Sequence, residues 1–454
     1  MGKQEQGINN MSEQEKRVIS KVSWRLLPFL ILAYLLCYVD RVNVGYAALT
    51  MNADLGFTAT VYGWGAGILF FGYFLFEVPS NLALKKYGAR FWIARIMISW
   101  GIISMCMALI FNVPSFLITR FLLGAAEAGF FPGILLYLTF WFPARHRATI
   151  ISRFMFAQPI AMMFGSAISG WILQLHGVMG FSGWKWLFLL EGFPTVLLGL
   201  FTFKYLTDKP SEAQWLEPAD RQWLQAELDA EYTKVDGGQT YSLLQTLFNP
   251  SVLLLASTYL LLAIGLMGVN LWLPQIVKAF GGLSNIQVGT IGAAPYLCTA
   301  LCMLLFGRHS DKTQERKWHM TLAFLASGVC LAASSFTASN LILTMVLVTI
   351  SLIGGYVAQP LFWTIPPSFL TGTGVAVGLA TINSVGNLGG FFGPYLFGYV
   401  KDATGSFENG LAILGCCIVA CGLLSCYVYT KIEKDQKAKM AGINFSQSTT
   451  VNVK

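Results

Sequence analysis

Four charged residues lie inside stretches that are otherwise apolar enough to cross a membrane. Asp40 and Arg41 are adjacent in YLLCYVDRVNVGYA, and Arg120 and Glu127 are seven residues apart in RFLLGAAEAG. On the insertion scale each such charge costs about 2.5–3.5 kcal/mol at a helix centre, so four unpaired charges would cost about 10 kcal/mol. They therefore need partners, and charged groups at this depth commonly serve protons, ions or substrates.

The spacing of these charges places them at one depth. At 1.5 Å per residue, Asp40 lies about 13 Å from the outer end of the first stretch, and Arg120 and Glu127 lie about 9 and 20 Å from the outer end of the fourth. Adjacent residues on a helix point about 100° apart, so Asp40 and Arg41 need partners from another helix. The pair on the fourth stretch supplies the candidates. The cluster is either an ion-pair clamp or a site for protons and an anion, and we favour the site.

Composition identifies the chain as a polytopic membrane protein. Of its 454 residues 55% are hydrophobic and 11% are charged, against about 25% charged in soluble proteins, and the mean hydropathy is +0.59. Apolar stretches of about 20 residues recur, and in lipid the backbone of such a stretch is satisfied within a helix. We predict an all-α protein of twelve transmembrane helices in two six-helix bundles. The predicted spans are 24–48, 61–84, 91–111, 115–141, 148–173, 184–206, 251–278, 287–307, 317–337, 341–365, 373–400 and 408–430.

The second half of the chain repeats the plan of the first. GSAISGWI at 165–172 and GPYLFGYV at 393–400 share their glycine spacing at a separation of 228 residues, and the same shift superimposes the predicted spans. Halves with an even number of spans keep one orientation, which predicts a pseudo-two-fold axis along the membrane normal. The shift carries Asp40, Arg120 and Glu127 onto two glycines and a valine. The scaffold repeats and the charges do not, as expected of a functional site.

The arrangement of basic residues predicts the orientation and the remaining units. Most of the 30 Lys and Arg fall on one side of the predicted spans, which by the positive-inside rule places both termini in the cytoplasm. The net charge of +8 then reflects topology rather than nucleic-acid binding. No signal peptide is expected in residues 1–22. The predicted units are a segment 1–23, a bundle 24–206, a cytoplasmic linker 207–250 with a surface helix, a bundle 251–430 and a tail 431–454.

The other reactive groups argue against an enzyme. The four His fall in loops or at helix ends, the nine Cys fit as apolar filler, and the chain has no GxxxxGK[ST] sequence to cradle phosphate. Neither metal-ligand spacing nor a nucleophile–base pair is found, so we expect no metal and no cofactor. Protons would have to be carried by carboxylates. A sensor is disfavoured because no large output domain is predicted.

Further polar residues lie within the predicted spans. Glu77, near the inner end of the second span, is expected to pair with loop arginines in a structural or gating role, and Glu191 in the sixth span has no partner that the sequence identifies. Polar and aromatic side chains on inner helices of both halves could line a binding cavity. These are Tyr38, Tyr73, Gln158, Gln359, Trp363, Asn383 and Asn387.

Several segments resemble the anion:cation symporter branch of the major facilitator superfamily. They are DRVNVGYA at 40–47, EVPSNLALKKYGARFWIAR at 77–95, RFLLGAAEAGFFPGILLYLTFWFPARHRA at 120–148, GWKWLFLLEG at 183–192, RHSDKTQERKWH at 308–319 and AQPLFWTIP at 358–366. The resemblance implies alternating access by a rocker switch and proton-coupled uptake of sugar acids, tartrate or aromatic acids across a bacterial inner (plasma) membrane. The superfamily usually has an Asp in the loop between the second and third spans, and this chain lacks it there. In the second half Asp311 is the corresponding Asp, and we expect it to be a gating residue. The fifth span lacks the Gly-Pro signature of antiporters, which favours symport.

The resemblance also implies roles for the residues singled out above. Asp40 and Glu127 would bind protons, and Arg41 and Arg120 would lie near the proton and the cargo carboxylate. Cargo contacts would come from Tyr38, Tyr73, Gln158, Trp363 and Asn387, to which we add Asn383 for its position one turn before Asn387. The expected function is symport of a small organic carboxylate with protons across the bilayer by a monomer. An exchanger or facilitator on the same scaffold is the alternative, and the identity of the anion is left open.

Overall fold

The computed structural model describes residues 12–235, 246–313, 315–337, 339–370 and 373–451, and every regular element in these ranges is a helix. Four are short 3-10 turns, at Met107–Leu109, Leu173–Leu175, Val178–Gly180 and Pro210–Glu212. The α-helices are α1 Glu13–Leu55, α2 Ala59–Tyr87, α3 Ala89–Cys106, α4 Val113–Glu127, α5 Phe130–Thr139, α6 Ala144–Met155, α7 Ala157–Ile172, α8 Gly183–Tyr205, α9 Pro218–Val235, α10 Pro250–Ala279, α11 Asn285–Thr313, α12 Lys317–Ser334, α13 Leu341–Phe362, α14 Pro366–Phe369, α15 Thr373–Thr404 and α16 Glu408–Val451.

These helices account for the twelve predicted spans. Ten helical segments in the described ranges are long and apolar enough to cross a bilayer, two of which are the consecutive pairs α4–α5 and α6–α7. The two other predicted spans are α12 and α15, which pack among the rest. The first of them, α12, begins with the polar or weakly apolar residues Lys, Trp and His. The predicted all-α membrane architecture is confirmed.

The packing between the bundles has the predicted symmetry. We call the side at which α1 begins the terminal face, and the side at which it ends the distal face. The bundles meet where α2 packs on α15 and α7 packs on α11, with α1 against α10 between them. The 228-residue shift carries α2 onto α11 and α7 onto α15, so it exchanges the two contacts. On the distal side α7 and α11 approach so closely that a Cβ on Gly170 would meet the backbone of Asn285 and Gly289.

Hydrogen bonds between the bundles close the distal face. Asp402, near the end of α15, accepts the backbone N–H of Ala59 at 3.1 Å and of Thr60 at 2.7 Å. It thereby caps the first turn of α2 from the other bundle, where the unpaired N–H groups and the helix dipole favour an anion. The Tyr62 hydroxyl donates to the carbonyl of Leu271 at 2.6 Å.

The predicted linker is docked rather than free. Within 207–250, α9 lies against the first bundle, with Asp220, Leu224 and Leu228 buried. Ion pairs hold it there: Arg17 reaches Asp220 at 2.7 Å, Arg145 reaches Glu227 at 2.8 Å and Arg147 reaches Glu231 at 2.7 Å. Residues 236–245 of the linker lie outside the described ranges. The predicted tail, from 431, continues α16 as far as Val451, as its many helix-forming residues allow.

Removing the Asp402 cap should loosen the distal face. Asp402→Ala takes both acceptors from the first turn of α2, and losing a helix cap costs about 1 kcal/mol, or about fivefold in an opening equilibrium. We expect amide hydrogen exchange at residues 59–62 to accelerate about fivefold. Asn112, which caps α4 within the first bundle, provides a matched control. Asn112→Ala should leave exchange at 59–62 unchanged, and equal acceleration in both variants would contradict a contact specific to the bundle interface.

Candidate functional site

A buried ion pair joins the first and fourth membrane spans. Arg41 on α1 donates from Nε to Oε1 of Glu127 at 2.6 Å, and its Nη2 contacts the same oxygen. The Cys37 thiol also donates to this oxygen at 3.2 Å. The Glu127 side chain is 1% exposed and that of Arg41 is 15% exposed. The contact expected from the sequence between helices 1 and 4 is therefore present, between these two residues.

A break in the fourth span positions Glu127. It is the last residue of α4, after which Ala128 is extended and Gly129 has a φ of +84° before α5 begins at Phe130. Gly129 takes this conformation without the steric cost that a Cβ would bring. Discontinuous helices of this kind are tolerated in membranes where they line a cavity or are buried in protein. The break therefore leaves the Glu127 carboxylate at the end of α4.

Asp40 is held by neutral donors on a different helix from the one predicted. Its carboxylate accepts from Nε1 of Trp100 at 2.5 Å and from the Ser104 hydroxyl at 2.8 Å, both on α3, and from Nδ2 of Asn43 at 3.2 Å. The expectation that Asp40 would be paired with Arg120 or Glu127 is wrong. Asp40 points away from Arg41, and the helix on that side is α3. Trp100 and Ser104 are one turn apart, a spacing that could have suggested them.

Arg120 is also placed differently from the prediction. It is 1% exposed and donates to the backbone carbonyls of Gly65 and Ala66 on α2, each at 3.2 Å, while its Nη1 has no partner among the described groups. The carbonyls stand in for the carboxylate that we expected. Arg120 does not line the cavity described next, so in this conformation it is not placed to contact cargo there.

A cavity lies between the bundles beside the ion pair. Every residue predicted to contact cargo, except Arg120, lines this cavity. Among the described lining residues Arg41 is the one with a formal charge. The lining consists of Tyr34, Tyr38, Arg41, Tyr73, Phe131, Met155, Gln158, Tyr259, Gln359, Trp363, Asn383 and Asn387. The placement agrees with the prediction, and the roles of these residues stay predictions.

Aromatic rings and amide side chains make up most of the cavity walls. The Arg41 guanidinium lies 5.2 Å from the Tyr38 ring centroid and 5.3 Å from that of Tyr73, within range of cation–π attraction. Opposite them, Tyr259 packs edge-on to Trp363 at 4.9 Å and accepts from Nε2 of Gln359 at 3.1 Å. Tyr34, Phe131, Met155 and Tyr259 were missed by sequence reasoning. Tyr34 lies one turn before Tyr38, and that spacing was the available signal.

Glu77 connects the cavity to the bundle interface. Its carboxylate accepts from Nδ2 of Asn383 at 2.8 Å and from the Ser384 hydroxyl at 3.4 Å, both on α15. The predicted pairing with loop arginines is wrong, because Glu77 faces the second bundle from within α2 and its partners among the described residues are Asn383 and Ser384. Asn383 both lines the cavity and bonds across the interface.

The second bundle carries a neutral network at the corresponding level. Asn270 on α10 donates to the Tyr356 hydroxyl at 2.7 Å and accepts from the Tyr296 hydroxyl at 2.9 Å, and all three are buried. Asn270 and Tyr356 are each one position past the repeat equivalents of Arg41 and Glu127. The two halves thus join the same pair of helices, one with charges and the other with neutral polar groups.

Comparison with known proteins identifies the family. Residues 30–394 match the Major Facilitator Superfamily. The chain belongs to this superfamily. The match spans both bundles and confirms the resemblance drawn from the sequence motifs.

The chain has relatives that are named as transporters. It is 47% identical over 432 residues to a protein of Agrobacterium vitis named "Putative tartrate transporter", covering 95% of this chain and 99% of that one. It is 42% identical over 429 residues to the "Quinolone resistance transporter" of Acinetobacter baumannii, covering 94% and 98%. Its fold is similar to the partially occluded inward open conformation of the xylose transporter XylE from E. coli, with a TM-score of 0.70, 14% identity and coverage of 88% and 98%. The protein is a multi-pass membrane transporter and not an enzyme.

A carboxylate from another segment lies beside the loop that lacks the superfamily's Asp. Asp208, which follows the sixth span, accepts the backbone N–H of Arg90 at 2.8 Å and lies 4.0 Å from its Nε. A carboxylate therefore sits at the start of α3, beside the loop that lacks its own. The gating candidate of the second half, Asp311, is on α11, and its side chain lies outside the described part of the chain.

The protein should be more stable when both charges of the Arg41–Glu127 pair are removed than when only one of them is. Glu127→Ala leaves a buried guanidinium without an anion, and breaking a buried pair costs about 3–5 kcal/mol. The double variant Arg41→Met/Glu127→Gln removes both charges. We expect the Tm of purified protein to fall most for Glu127→Ala and less for the double variant.

An exposed ion pair provides the control for this comparison. Lys21 and Glu217 lie 3.6 Å apart at the terminal face, where a pair is worth about 0–1 kcal/mol. Glu217→Ala should leave the Tm nearly unchanged. A double variant at positions 41 and 127 that is less stable than Glu127→Ala would contradict the charge argument.

Proposed function

We propose that the protein is a proton-coupled symporter that takes up a small organic carboxylate. The observation that carries the proposal is the double position of Arg41, which is paired with Glu127 and also lines the cavity. A carboxylate cargo and the Glu127 carboxylate compete for one guanidinium. Protonation of Glu127 removes the internal competitor, and the cargo takes its place.

Charge balance couples the two events. An unpaired Arg41 with neutral Glu127 leaves a positive charge uncompensated, and an ionised Glu127 beside bound cargo places two anions at one cation. Buried charges without partners cost several kcal/mol each. The transporter therefore has two favourable states. In one the cavity is empty and Glu127 is ionised, and in the other cargo is bound and Glu127 is neutral. Only these two would pass readily through the closed intermediate of alternating access.

Asp40 supplies a second proton-binding group. Two of its partners, the Trp100 indole and the Asn43 amide nitrogen, can only donate, whereas the Ser104 hydroxyl can donate or accept. Rotation of that hydroxyl gives protonated Asp40 an acceptor. The site can therefore hold the acid in either state without moving a helix. In this proposal both acids bind protons from one side and release them to the other.

The cavity supports a carboxylate that also carries hydroxyl groups or a ring. Four amides can bond to hydroxyls, and the rings of Tyr38 and Trp363 can stack on a planar cargo. The names of the relatives, one for tartrate and one for quinolone resistance, support this range. The distribution of Lys and Arg supports an inner-membrane protein with cytoplasmic termini. We propose a monomer with protons as the only coupling ion.

Transport in liposomes tests the coupling. Purified protein should accumulate labelled tartrate or benzoate against its gradient when the outside is acidic. Asp40→Asn and Glu127→Gln should abolish accumulation, because neither can cycle a proton, while Glu127→Gln retains counterflow of cargo. Glu212→Gln, the same change at an exposed position, is the control. Accumulation that survives in both site variants would reject the mechanism, and transport indifferent to an uncoupler would favour an exchanger.

The shape of the guanidinium should set the affinity for cargo. Arg41→Lys keeps the charge but loses the planar fork that binds a carboxylate through two hydrogen bonds. We expect the affinity for a transported carboxylate to fall about tenfold, equivalent to about 1.4 kcal/mol, as measured by calorimetry. Arg90→Lys on the terminal face should leave it unchanged. An unaltered affinity in Arg41→Lys would remove Arg41 from the cargo site.

A further inference from the structure

Glu191 is a buried acid that the proposed coupling does not use. It lies on α8, is 5% exposed, and accepts from the Ser169 hydroxyl at 2.8 Å through Oε1. Its Oε2 has no hydrogen-bond partner among the described groups, and no described ion pair includes it. An ionised carboxylate with one neutral donor is costly at this depth, because burial without compensation disfavours the charged form.

Asn43 carries a second unsatisfied atom close by. Its Nδ2 donates to Asp40, while its Oδ1 has no partner among the described groups although the residue is 1% exposed. Asn43 is also a close polar neighbour of the Glu191 carboxyl. The two lone atoms are an amide oxygen, which can only accept, and a carboxyl oxygen, which can donate only when it carries a proton. One proton on Oε2 would satisfy both.

We propose that Glu191 is a neutral carboxylic acid whose O–H donates to Oδ1 of Asn43. This bond fixes the amide with its nitrogen toward Asp40. Glu191 is thus a positioning residue for the proton site, and this part of the inference rests on the proposed role of Asp40. No net proton transfer is involved, since the Glu191 proton stays on Oε2.

The surroundings assign different states to the two acids. Asp40 accepts from the donor-only Trp100 indole as well as from Ser104 and Asn43, which suits a carboxylate. Glu191 has one donor among the described groups, and the Asn43 side chain with its lone acceptor is a close neighbour, which suits the acid. The titratable groups that act on it are Asp40 and Tyr46, both on α1, and α3 and α7 contribute none to its described neighbours. Paired acids whose surroundings favour opposite states are the pattern expected of a proton site.

Infrared spectroscopy tests the proton directly. Spectra of the purified full-length protein at neutral pH should contain a protonated-carboxyl C=O band that disappears in Glu191→Gln. The control Glu212→Gln should keep the band. This measurement involves no transport, so it decides the state of Glu191 even if the protein proves not to be proton-coupled.

Transport variants test the positioning role. Gln can accept from Ser169 and donate to Asn43, so Glu191→Gln should accumulate cargo within about twofold of wild type with the same pH profile, unlike Asp40→Asn. Glu191→Leu cannot donate and should lower accumulation about tenfold or more. The proposal would be overturned if no protonated-carboxyl band disappeared in Glu191→Gln. It would also be overturned if this variant lost as much accumulation as Asp40→Asn. Both decisive results come from the isosteric variant and do not depend on the folding of Glu191→Leu.

Discussion

A guanidinium inside the hydrocarbon layer needs an anion or other acceptors beside it, and much of the first bundle is arranged around that requirement. Arg41 is paired with Glu127, and the break between α4 and α5 brings the carboxylate to it. The rings of Tyr38 and Tyr73 add attraction from the sides without adding charge. Because one face of the guanidinium reaches the cavity, the anion can be supplied from inside the protein or from the cargo. In the proposed mechanism, that choice links binding to protonation.

The other buried charges are treated in a different way, and the contrast explains why only one of them faces the cavity. Arg120 is bound by carbonyls of α2, and Asp40 by donors from α3. Neutral partners satisfy a charge without competing for cargo. The second bundle goes further and joins its corresponding helices through the uncharged pair Asn270 and Tyr356. With one cation exposed among neutral walls, the cavity can favour anions without holding a rigid charge cluster that would cost too much to rearrange.

Much of this arrangement could be predicted from the sequence because membrane spans and their depth follow from hydropathy and helical rise. Those two rules located the spans, the pair of Arg41 and Glu127, and most of the cavity lining. They failed where a charge has neutral partners. Nothing in hydropathy distinguishes a tryptophan that donates to Asp40 from one that merely packs, and backbone carbonyls that bind Arg120 leave no signature at all. Glu77 was misassigned for a related reason, since its partner lies 306 residues away in the other bundle.

That misassignment points to how cargo and conformation are connected. Asn383 donates to Glu77 across the interface and also lines the cavity, so a cargo that engages Asn383 acts on an atom that helps hold the bundles together. Asp402 and Tyr62, which make the distal contacts, also lie on α15 and α2. A ligand shifts an equilibrium only through interactions that differ between its states. The interface hydrogen bond of Glu77 is such an interaction, because rocking α15 away from α2 breaks it whereas the ion pair, contained in the first bundle, is left intact.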